Sequence, residues 1–305
     1  MVITVLSGGV GAARLLAALS DSVDPSELSA IVNVGDDLTM HGLTICPDLD
    51  TIMYTLAGLN NTELGWGLAG ESWRVMQELD ALGGDAWFRL GDRDLATHLY
   101  RSQRLSNGAT KTEVTTELCR RLGVRVPLLP VTNDVIATTF ETELGRLSFQ
   151  EYFVRHHHGV EVTSIDIVGA ETASASDEVL RALREASRIV VAPSNPLISI
   201  DPILRVRGVR ELLEQRRDTV LGVSPIVDGH ALKGPADRLL AELGHEVSCV
   251  GVLDFYKGLI GTWIIDDADV KRANEVRDRG VEVIVTTTIM AEVDNARRLS
   301  AAVLA

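Results

Sequence analysis

The sequence predicts an α/β fold: a doubly wound, mostly parallel, Rossmann-like sheet flanked by helices. Short apolar runs of strand length alternate along the chain with segments of helical periodicity, and several runs end in glycine, serine or asparagine. Strands that are apolar throughout are buried on both faces, as in a parallel sheet between helical layers. The length of 305 residues suits one large domain.

The first strand and helix are predicted at the very start of the chain. Residues 3–6 form a short apolar run that ends in glycines, and residues 12–19 have the pattern of a helix. A second strand is predicted over residues 30–34, closing at Gly35. Strand, glycine turn, helix and strand in this order form the start of a βαβ unit.

The second half of the chain repeats the alternation more regularly. The predicted strands are residues 188–192, 219–223, 248–253, 262–265 and 281–286. The predicted helices are residues 177–187, 203–216, 235–243, 270–278 and 291–304. This succession favours a parallel sheet built from crossover units.

The middle of the chain has a different pattern. Helices are predicted over residues 50–59, 94–101 and 111–122, followed by a hairpin of residues 136–142 and 147–154. We interpret residues 1–305 as a single α/β domain with a core of about 1–35 and 160–305. The insertion, about 36–158, is then expected to cover the active edge of the sheet and to form one side of the site.

Composition and charge limit the possible partners. The net charge of −14 argues against binding to nucleic acid or to anionic lipid, because both are polyanions. No apolar run reaches the roughly 18 residues needed to span a membrane, and no signal peptide is recognisable at the start. The three scattered cysteines suit reduced thiols, so we expect a cytoplasmic protein. An anionic substrate would need a pocket that is locally positive.

A glycine-rich turn lies between the first strand and the first helix. Its sequence is SGGVGAAR over residues 7–14, with Gly8, Gly9 and Gly11 in the turn. Glycines let a ligand approach the backbone, and the helix N-terminus offers free N–H groups to a phosphate. The turn lacks the Gly-Lys-Ser/Thr of a Walker loop and departs from the dinucleotide fingerprint at Arg14. The alternative is a tight turn that binds nothing.

Two further strand ends carry small polar residues. Ser194 and Asn195 follow one predicted strand, and Ser224 follows the next. At the carboxyl edge of a parallel sheet, such side chains can contact a nucleotide. The alternative role is helix capping, and one residue can serve both purposes.

Four aspartates follow the second strand within fifteen residues: Asp36, Asp37, Asp48 and Asp50. Carboxylates repel a phosphate unless a cation such as Mg²⁺ lies between them. We predict that Asp50 and one of Asp36 or Asp37 bind the metal. For Asp48 we favour capping of the following helix.

Two cations are candidate anion contacts. Arg89 precedes a predicted helix start and can pair with a phosphate or stack on a flat ring. Lys233 precedes another helix and is a second candidate phosphate contact. Solvated surface charge is the alternative for both. The three histidines at 156–158 are better explained as a solvated loop than as a zinc site, since no cysteine or carboxylate spacing supports them.

Ten segments carry a resemblance to a known family. The most specific is the block of residues 87–98, WFRLGDRDLATH. The matching segments are residues 7–13, 33–37, 41–43, 46–51, 65–67, 87–98, 149–155, 193–196, 224–227 and 233–237. On them the chain closely resembles the 2-phospho-L-lactate transferase family (CofD-type), which acts in coenzyme F-420 biosynthesis. Residues 131–134 and 156–158 depart from the family pattern.

The resemblance implies a reaction. Family members use a donor in which guanosine monophosphate is joined through a pyrophosphate to 2-phospholactate, or to its enolpyruvyl or glyceryl analogue. They transfer the acid-bearing phosphoryl group to the terminal ribityl hydroxyl of the deazaflavin FO, releasing GMP and using Mg²⁺. The sequence does not decide which of the three acids the donor carries.

The resemblance also implies roles for individual residues. Asp50 and Arg89 match the family's FO-contacting residues, and we expect Asp50 to orient the FO hydroxyl and to bind the metal. The nucleotide would lie over the glycine turn and two strand ends, which comprise Gly8, Gly9, Gly11, Ser194, Asn195 and Ser224. A homodimer is implied as well.

Two rival functions come from other classes. The gluconeogenesis-factor family shares this fold and a glycine-rich start, and its members resemble regulatory binders of a nucleotide sugar. Its chains are not expected to carry the Asp50 region or the block of residues 87–98. A nicotinamide oxidoreductase is weakened by Arg14 in the fingerprint.

Overall fold

Seven parallel strands form the central sheet of the computed structural model, which describes residues 1–305. The strands are β1 (Ile3–Ser7), β2 (Leu28–Val32), β3 (Leu38–Met40), β4 (Leu43–Ile45), β5 (Leu128–Pro130), β6 (Ala137–Thr142), β7 (Gly145–Ser148), β8 (Val162–Val168), β9 (Arg188–Val191), β10 (Val220–Val223), β11 (Ile226–Val227), β12 (His230–Ala231), β13 (Thr262–Ile265) and β14 (Glu282–Val285). The helices are α1 (Gly9–Ser20), α2 (Pro47–Leu56), α3 (Arg74–Ala81), α4 (Asp92–Ser106), α5 (Lys111–Arg121), α6 (Asp177–Glu185), α7 (Asp201–Arg205), α8 (Val209–Gln215), α9 (Ala236–Glu242), α10 (Cys249–Phe255), α11 (Ala273–Arg277) and α12 (Val293–Leu304).

The central sheet has the strand order β14-β13-β10-β9-β1-β2-β5. Every pairing in it is parallel. The order reverses between β1 and β9, which leaves a crevice at the carboxyl ends of these two strands. The predicted Rossmann-like, doubly wound α/β fold is confirmed.

One continuous apolar core joins the central sheet to the middle of the chain. Strand residues such as Leu6, Val190 and Ile264 belong to the same cluster of buried side chains as Phe140 and Tyr152. Phe140 and Tyr152 stack with ring centroids 4.1 Å apart. The inserted region therefore packs directly on the sheet.

The boundaries of the insertion differ from the predicted 36–158. Leu128–Pro130 lies inside that range, yet it forms the edge strand β5 of the central sheet. Val162–Val168 lies in the predicted core, yet it pairs with β6 in a separate antiparallel sheet of order β7-β6-β8. A three-residue edge strand carries almost no periodic signal, which explains why the sequence did not reveal β5.

The predicted strand over residues 248–253 is wrong, because these residues begin helix α10. Ser248 caps the helix by accepting a hydrogen bond from the Gly251 amide at 3.0 Å. Residues 249–253 are buried all round the helix, so the sequence reads as a continuous apolar run. Such a run does not distinguish a buried strand from a short buried helix.

The structure differs from the prediction at two further elements. The second hairpin strand ends at Ser148, and the chain continues in a single π-helical turn, Glu151–Arg155. The predicted helix over 270–278 is a 3₁₀ segment, Asp267–Arg272, followed by α11. None of the helices combines the length and the hydropathy that a membrane span requires.

Candidate active site

A cavity of about 610 Å³ opens at the switch point between β1 and β9. The sequence-predicted residues that line it are Gly8, Gly9, Gly11, Asp36, Asp48, Asp50, Arg89, Ser194, Asn195, Ser224 and Lys233. Asp37 is the one predicted site residue that does not line the cavity. The cavity therefore has the size and the position of a small-molecule site in an open parallel sheet.

The glycine turn leads into α1 with very little space for side chains. Gly9 has a φ of +70°, a conformation that glycine adopts without strain. A Cβ atom on Gly11 would lie 2.4 Å from the carbonyl oxygen of Pro193, at the end of β9. Glycine at position 11 thus lets the first turn of α1 approach the neighbouring strand end.

The polar side chains at the strand ends, which are predicted to contact a nucleotide, form hydrogen bonds with backbone groups. The Ser194 hydroxyl donates to the carbonyl of Gly8 at 2.7 Å, which links the end of β9 to the glycine turn. Asn195 accepts from the Leu197 amide at 3.0 Å, and its Nδ2 is buried without a partner. Ser224 donates to the Ile226 carbonyl at 2.8 Å. Asn195, which lines the cavity, thus keeps a side-chain donor that no protein group satisfies.

Asp48 does not cap α2, contrary to the sequence prediction. It lies in the first turn of the helix, and its carboxylate accepts from the amide of Gly9 at 2.7 Å and from Nδ2 of Asn33 at 2.9 Å. Burial raises the pKa of Asp48 to about 6, although both hydrogen bonds oppose this shift. A carboxylate therefore occupies one of the backbone donors of the glycine turn.

Asp36 and Asp37 lie in different surroundings. Asp36 is buried at the cavity, and its carboxylate shares the Asn33 amide group with Asp48. Burial and the neighbouring Asp48 and Asp37 raise the pKa of Asp36 well above its usual range. Asp37 instead pairs with Lys111 at 2.5 Å. The structure thus brings Asp36, and not Asp37, to the predicted metal region.

Asp50 is buried in an ion pair that the sequence did not reveal. Its carboxylate accepts hydrogen bonds from both terminal nitrogens of Arg101, which lies two turns into α4. Burial raises the pKa of Asp50, and Arg101 and His98 counteract that rise. One of its oxygens lies 3.8 Å from Nδ1 of His98. Asp50 lines the cavity, and the positive charge of Arg101 partly neutralises its carboxylate.

A second carboxylate, Asp94, lies beside this pair. Asp94 accepts from the Tyr54 hydroxyl at 2.6 Å, and its other oxygen lies 3.3 Å from Nε2 of His98. Asp50, Asp94 and His98 place potential ligand atoms within 4.8 Å of one another. Nε2 of His98 is buried and lacks a hydrogen bond of good geometry. These three residues are a possible cation site, and sequence analysis singled out only Asp50.

Arg89 lies on the aromatic side of the cavity. Its guanidinium stacks over the ring of Trp73, with 4.5 Å between Cζ and the ring centroid. Trp66 packs edge-on against Trp73, with ring centroids 5.8 Å apart. The aromatic residues that line the cavity are Tyr54, Trp66, Trp87, Phe88, Phe149 and Phe153. This wall offers flat apolar surfaces to a planar ring.

Two exposed cations complete the lining. Lys233 follows the β11–β12 hairpin, and its Nζ lies 3.8 Å from the position of a Cβ on Gly65. Arg14 lies on α1, and sequence analysis noted it only as a departure from the dinucleotide fingerprint. The histidine loop reaches the cavity through His157 alone. With Arg89, Arg14 and Lys233 supply local positive charge in an acidic protein.

These features define an α/β protein with a candidate ligand site at the switch point of its sheet. The family model for "2-phospho-L-lactate transferase CofD" matches residues 3–303. The chain therefore belongs to the 2-phospho-L-lactate transferase CofD family and is a transferase of that type. The resemblance predicted from the sequence is confirmed.

Similar proteins match over most of the length of the chain. A phosphoenolpyruvate transferase of Kitasatospora aureofaciens is 41% identical, with 100% of this chain and 97% of the relative covered. A protein of the same name from Nocardia farcinica is 42% identical, with 93% of this chain and 90% of the relative covered. Another, from Thermobifida fusca, is 43% identical, with 88% of this chain and 87% of the relative covered. Among solved structures, a member of the UPF0052 family from Bacillus halodurans matches with a TM-score of 0.63 at 20% identity, over 99% of this chain and 98% of that one. The last likeness concerns the fold alone.

Proposed function

We propose that the protein transfers a phosphoenolpyruvate-derived group from a guanosine diphospho donor to the terminal ribityl hydroxyl of FO, releasing GMP. This step would belong to coenzyme F-420 biosynthesis. The family match over residues 3–303 supports the reaction type. Relatives that are 41% to 43% identical are named phosphoenolpyruvate transferases, which favours the enolpyruvyl donor over the lactyl and glyceryl ones.

One observation carries the proposal: a single cavity joins a glycine turn to an aromatic wall. A guanylyl phosphate fits the side of Gly8, Gly9 and Gly11, where α1 begins and small strand-end residues follow. The deazaflavin ring fits the opposite side, where Arg89 and the tryptophans offer stacking surfaces. Donor and acceptor can therefore meet between the two sides.

The donor set of the cavity fits Mg²⁺, a hard cation that prefers carboxylate oxygens. Asp36 and Asp48 share one amide donor and are buried, and burial raises the pKa of both. We propose that Asp36 and Asp48 bind the ion. Asp50, whose potential ligand atoms lie with those of Asp94 and His98, is the alternative cation site. When bound, Mg²⁺ would neutralise charge on the pyrophosphate. Asp37 is not part of this set because it pairs with Lys111 and does not line the cavity.

The reaction requires no reactant besides the donor and FO. The ribityl oxygen forms a new bond to the phosphorus that bears the acid, and the bond from that phosphorus to the bridging oxygen breaks. The electron pair stays on the guanylyl oxygen, so GMP leaves, and the hydroxyl proton is released as H⁺. The chain's own contribution is positioning and charge neutralisation by Asn195, Lys233 and Arg89 at the cavity wall.

A nucleotide-sugar-binding regulator of the gluconeogenesis-factor type is the second candidate. The observation that would favour it is a glycine-rich start on a Rossmann-like fold, which the two classes share. A nucleotide sugar has no flat ring beyond its base, so a regulator of this kind does not need a second aromatic surface opposite the glycine turn. We expect FO fluorescence to change when this protein is titrated into FO, and an unchanged signal would favour the regulator.

The decisive experiment is mass spectrometry of the products formed from FO, Mg²⁺ and each candidate donor. We expect GMP and the enolpyruvyl-bearing product, with much slower turnover of the lactyl and glyceryl donors. Absence of product from all three donors would contradict the transferase proposal.

We also propose that the protein is a homodimer and that it is located in the cytoplasm. Light scattering in solution tests the homodimer.

A further inference from the structure

Arg14 is an exposed cation on the glycine-turn side of the cavity, and it makes no ion pair or hydrogen bond. It lies in α1, on the same helix face as Gly11, which precedes it by three residues. Long helical side chains lean toward the helix N-terminus, which favours reach of the guanidinium toward the start of α1. Buried Arg101, in contrast, is held by Asp50. Arg14 is thus an unpaired cation of the cavity wall, one helical turn from Gly11.

The other two cavity cations lie elsewhere. Arg89 stacks over Trp73 on the aromatic wall, and Lys233 lies beside Gly65 in the loop before α3. Neither of them is part of the glycine turn or of α1. An anion bound over Gly9 and Gly11 therefore has Arg14 as its cationic neighbour on the helix.

The glycine turn needs such a neighbour because a carboxylate already engages it. The Gly9 amide donates to Asp48 at 2.7 Å, so this donor is not free for a phosphate. A phosphate over the turn would also lie close to the negative charge of Asp48. Repulsion between the two anions must be offset by a cation on the protein or by a metal ion.

We propose that Arg14 binds the guanylyl phosphate of the donor and stabilises that phosphate as GMP leaves. The inference rests on the proposed function and deepens it. When the bridging bond breaks, its electron pair stays on the guanylyl oxygen, which gains negative charge. A guanidinium offers two parallel N–H donors to that phosphate, which a lysine does not.

The test is the affinity for GMP and for guanosine, measured by calorimetry on the full-length protein. Arg14→Ala should weaken GMP binding about 10- to 100-fold, the usual loss for hydrogen bonds to a charged group, and leave guanosine binding within about twofold. Arg14→Lys should retain part of the GMP affinity. Arg181→Ala is the matched control, since Arg181 is an exposed, unpaired arginine on α6 outside the cavity.

The outcomes separate the two proposals. If the wild-type protein binds GMP and Arg14→Ala binds it as tightly as Arg181→Ala does, the role of Arg14 is refuted and the proposed function stands. Equal weakening of guanosine and GMP also refutes it, because Arg14 would then act on the base or on the fold. If the wild-type protein binds no GMP, both proposals fail. Turnover adds a further readout: the KM for the donor should rise in Arg14→Ala while the KM for FO does not change.

Discussion

The carboxylate of Asp50 accepts hydrogen bonds from both terminal nitrogens of Arg101 in a buried ion pair. The predicted FO- and metal-binding residue is therefore also a structural partner. A buried charge that loses its partner destabilises a protein, whereas removal of both charges together is often tolerated. Any substitution of Asp50 thus affects stability and chemistry together, and the two effects must be separated.

The Asp50→Asn variant should lose orders of magnitude in turnover and about 3 to 5 kcal/mol in the free energy of unfolding, because Arg101 stays buried and unpaired. The double variant Asp50→Asn/Arg101→Met should recover much of the stability, as measured by denaturant unfolding. Its turnover should remain low. Recovery of turnover in the double variant would mean that Asp50 serves only to neutralise Arg101.

The Arg89→Ala variant should weaken FO binding about tenfold, because the stacked cation and its apolar stem are lost from the aromatic wall. Fluorescence titration of FO measures this effect. Arg121→Ala is a suitable control, since Arg121 also stacks on a ring, that of Tyr100, but lies outside the cavity. Equal FO affinity of the two variants would contradict a role for Arg89.

The stability of the metal-free protein should depend on pH through Asp48, whose pKa is raised to about 6. A carboxyl group that binds its proton more tightly in the folded state stabilises the fold fully below about pH 4. This contribution is lost as the pH rises through 6. It amounts to at most about 3 kcal/mol.

The Asp48→Asn variant should lack this part of the pH dependence. Between pH 4 and pH 7, its free energy of unfolding should fall less than that of the wild-type protein. Urea unfolding in the presence of a chelator measures the difference. Identical pH profiles for the two proteins would show that Asp48 titrates as it does in the unfolded chain.

Mg²⁺ should raise the melting temperature of the protein, because a bound cation relieves the repulsion between Asp36 and Asp48. This gain should disappear in Asp36→Asn. It should persist in Asp37→Asn, because the Asp37 carboxylate pairs with Lys111 away from the cavity. If Asp37→Asn abolishes the gain and Asp36→Asn retains it, the assignment of the two aspartates is reversed.

Much of the site is predictable because its residues follow strand ends. Parallel strands bring their carboxyl ends to one edge of the sheet, so their order along the chain is enough to predict that Gly9, Ser194 and Ser224 meet there. The cavity also contains Asp50 and Arg89, which the motif resemblance implied, and Asp36, which the cluster of aspartates after the second strand offered together with Asp37.

Several site residues could not be read from the sequence. Asp94 and His98 are four residues apart on α4 and so share one helix face, which is a detectable signal. Nothing local indicates that this face turns toward Asp50, more than forty residues earlier in the chain. The sequence marked Arg14 only as the residue that stands where the dinucleotide fingerprint has its last glycine.

The sequence alone determined the class of fold, the glycine turn and the family, because these depend on local periodicity and on contiguous motifs. Only the tertiary structure decided which partner each carboxylate has. Asp37 pairs with Lys111, Asp50 with Arg101, and Asp48 with the Gly9 amide, and all three partners are distant in sequence. The electrostatic state of a side chain depends on the burial and the charges around it, and chain folding alone brings these together.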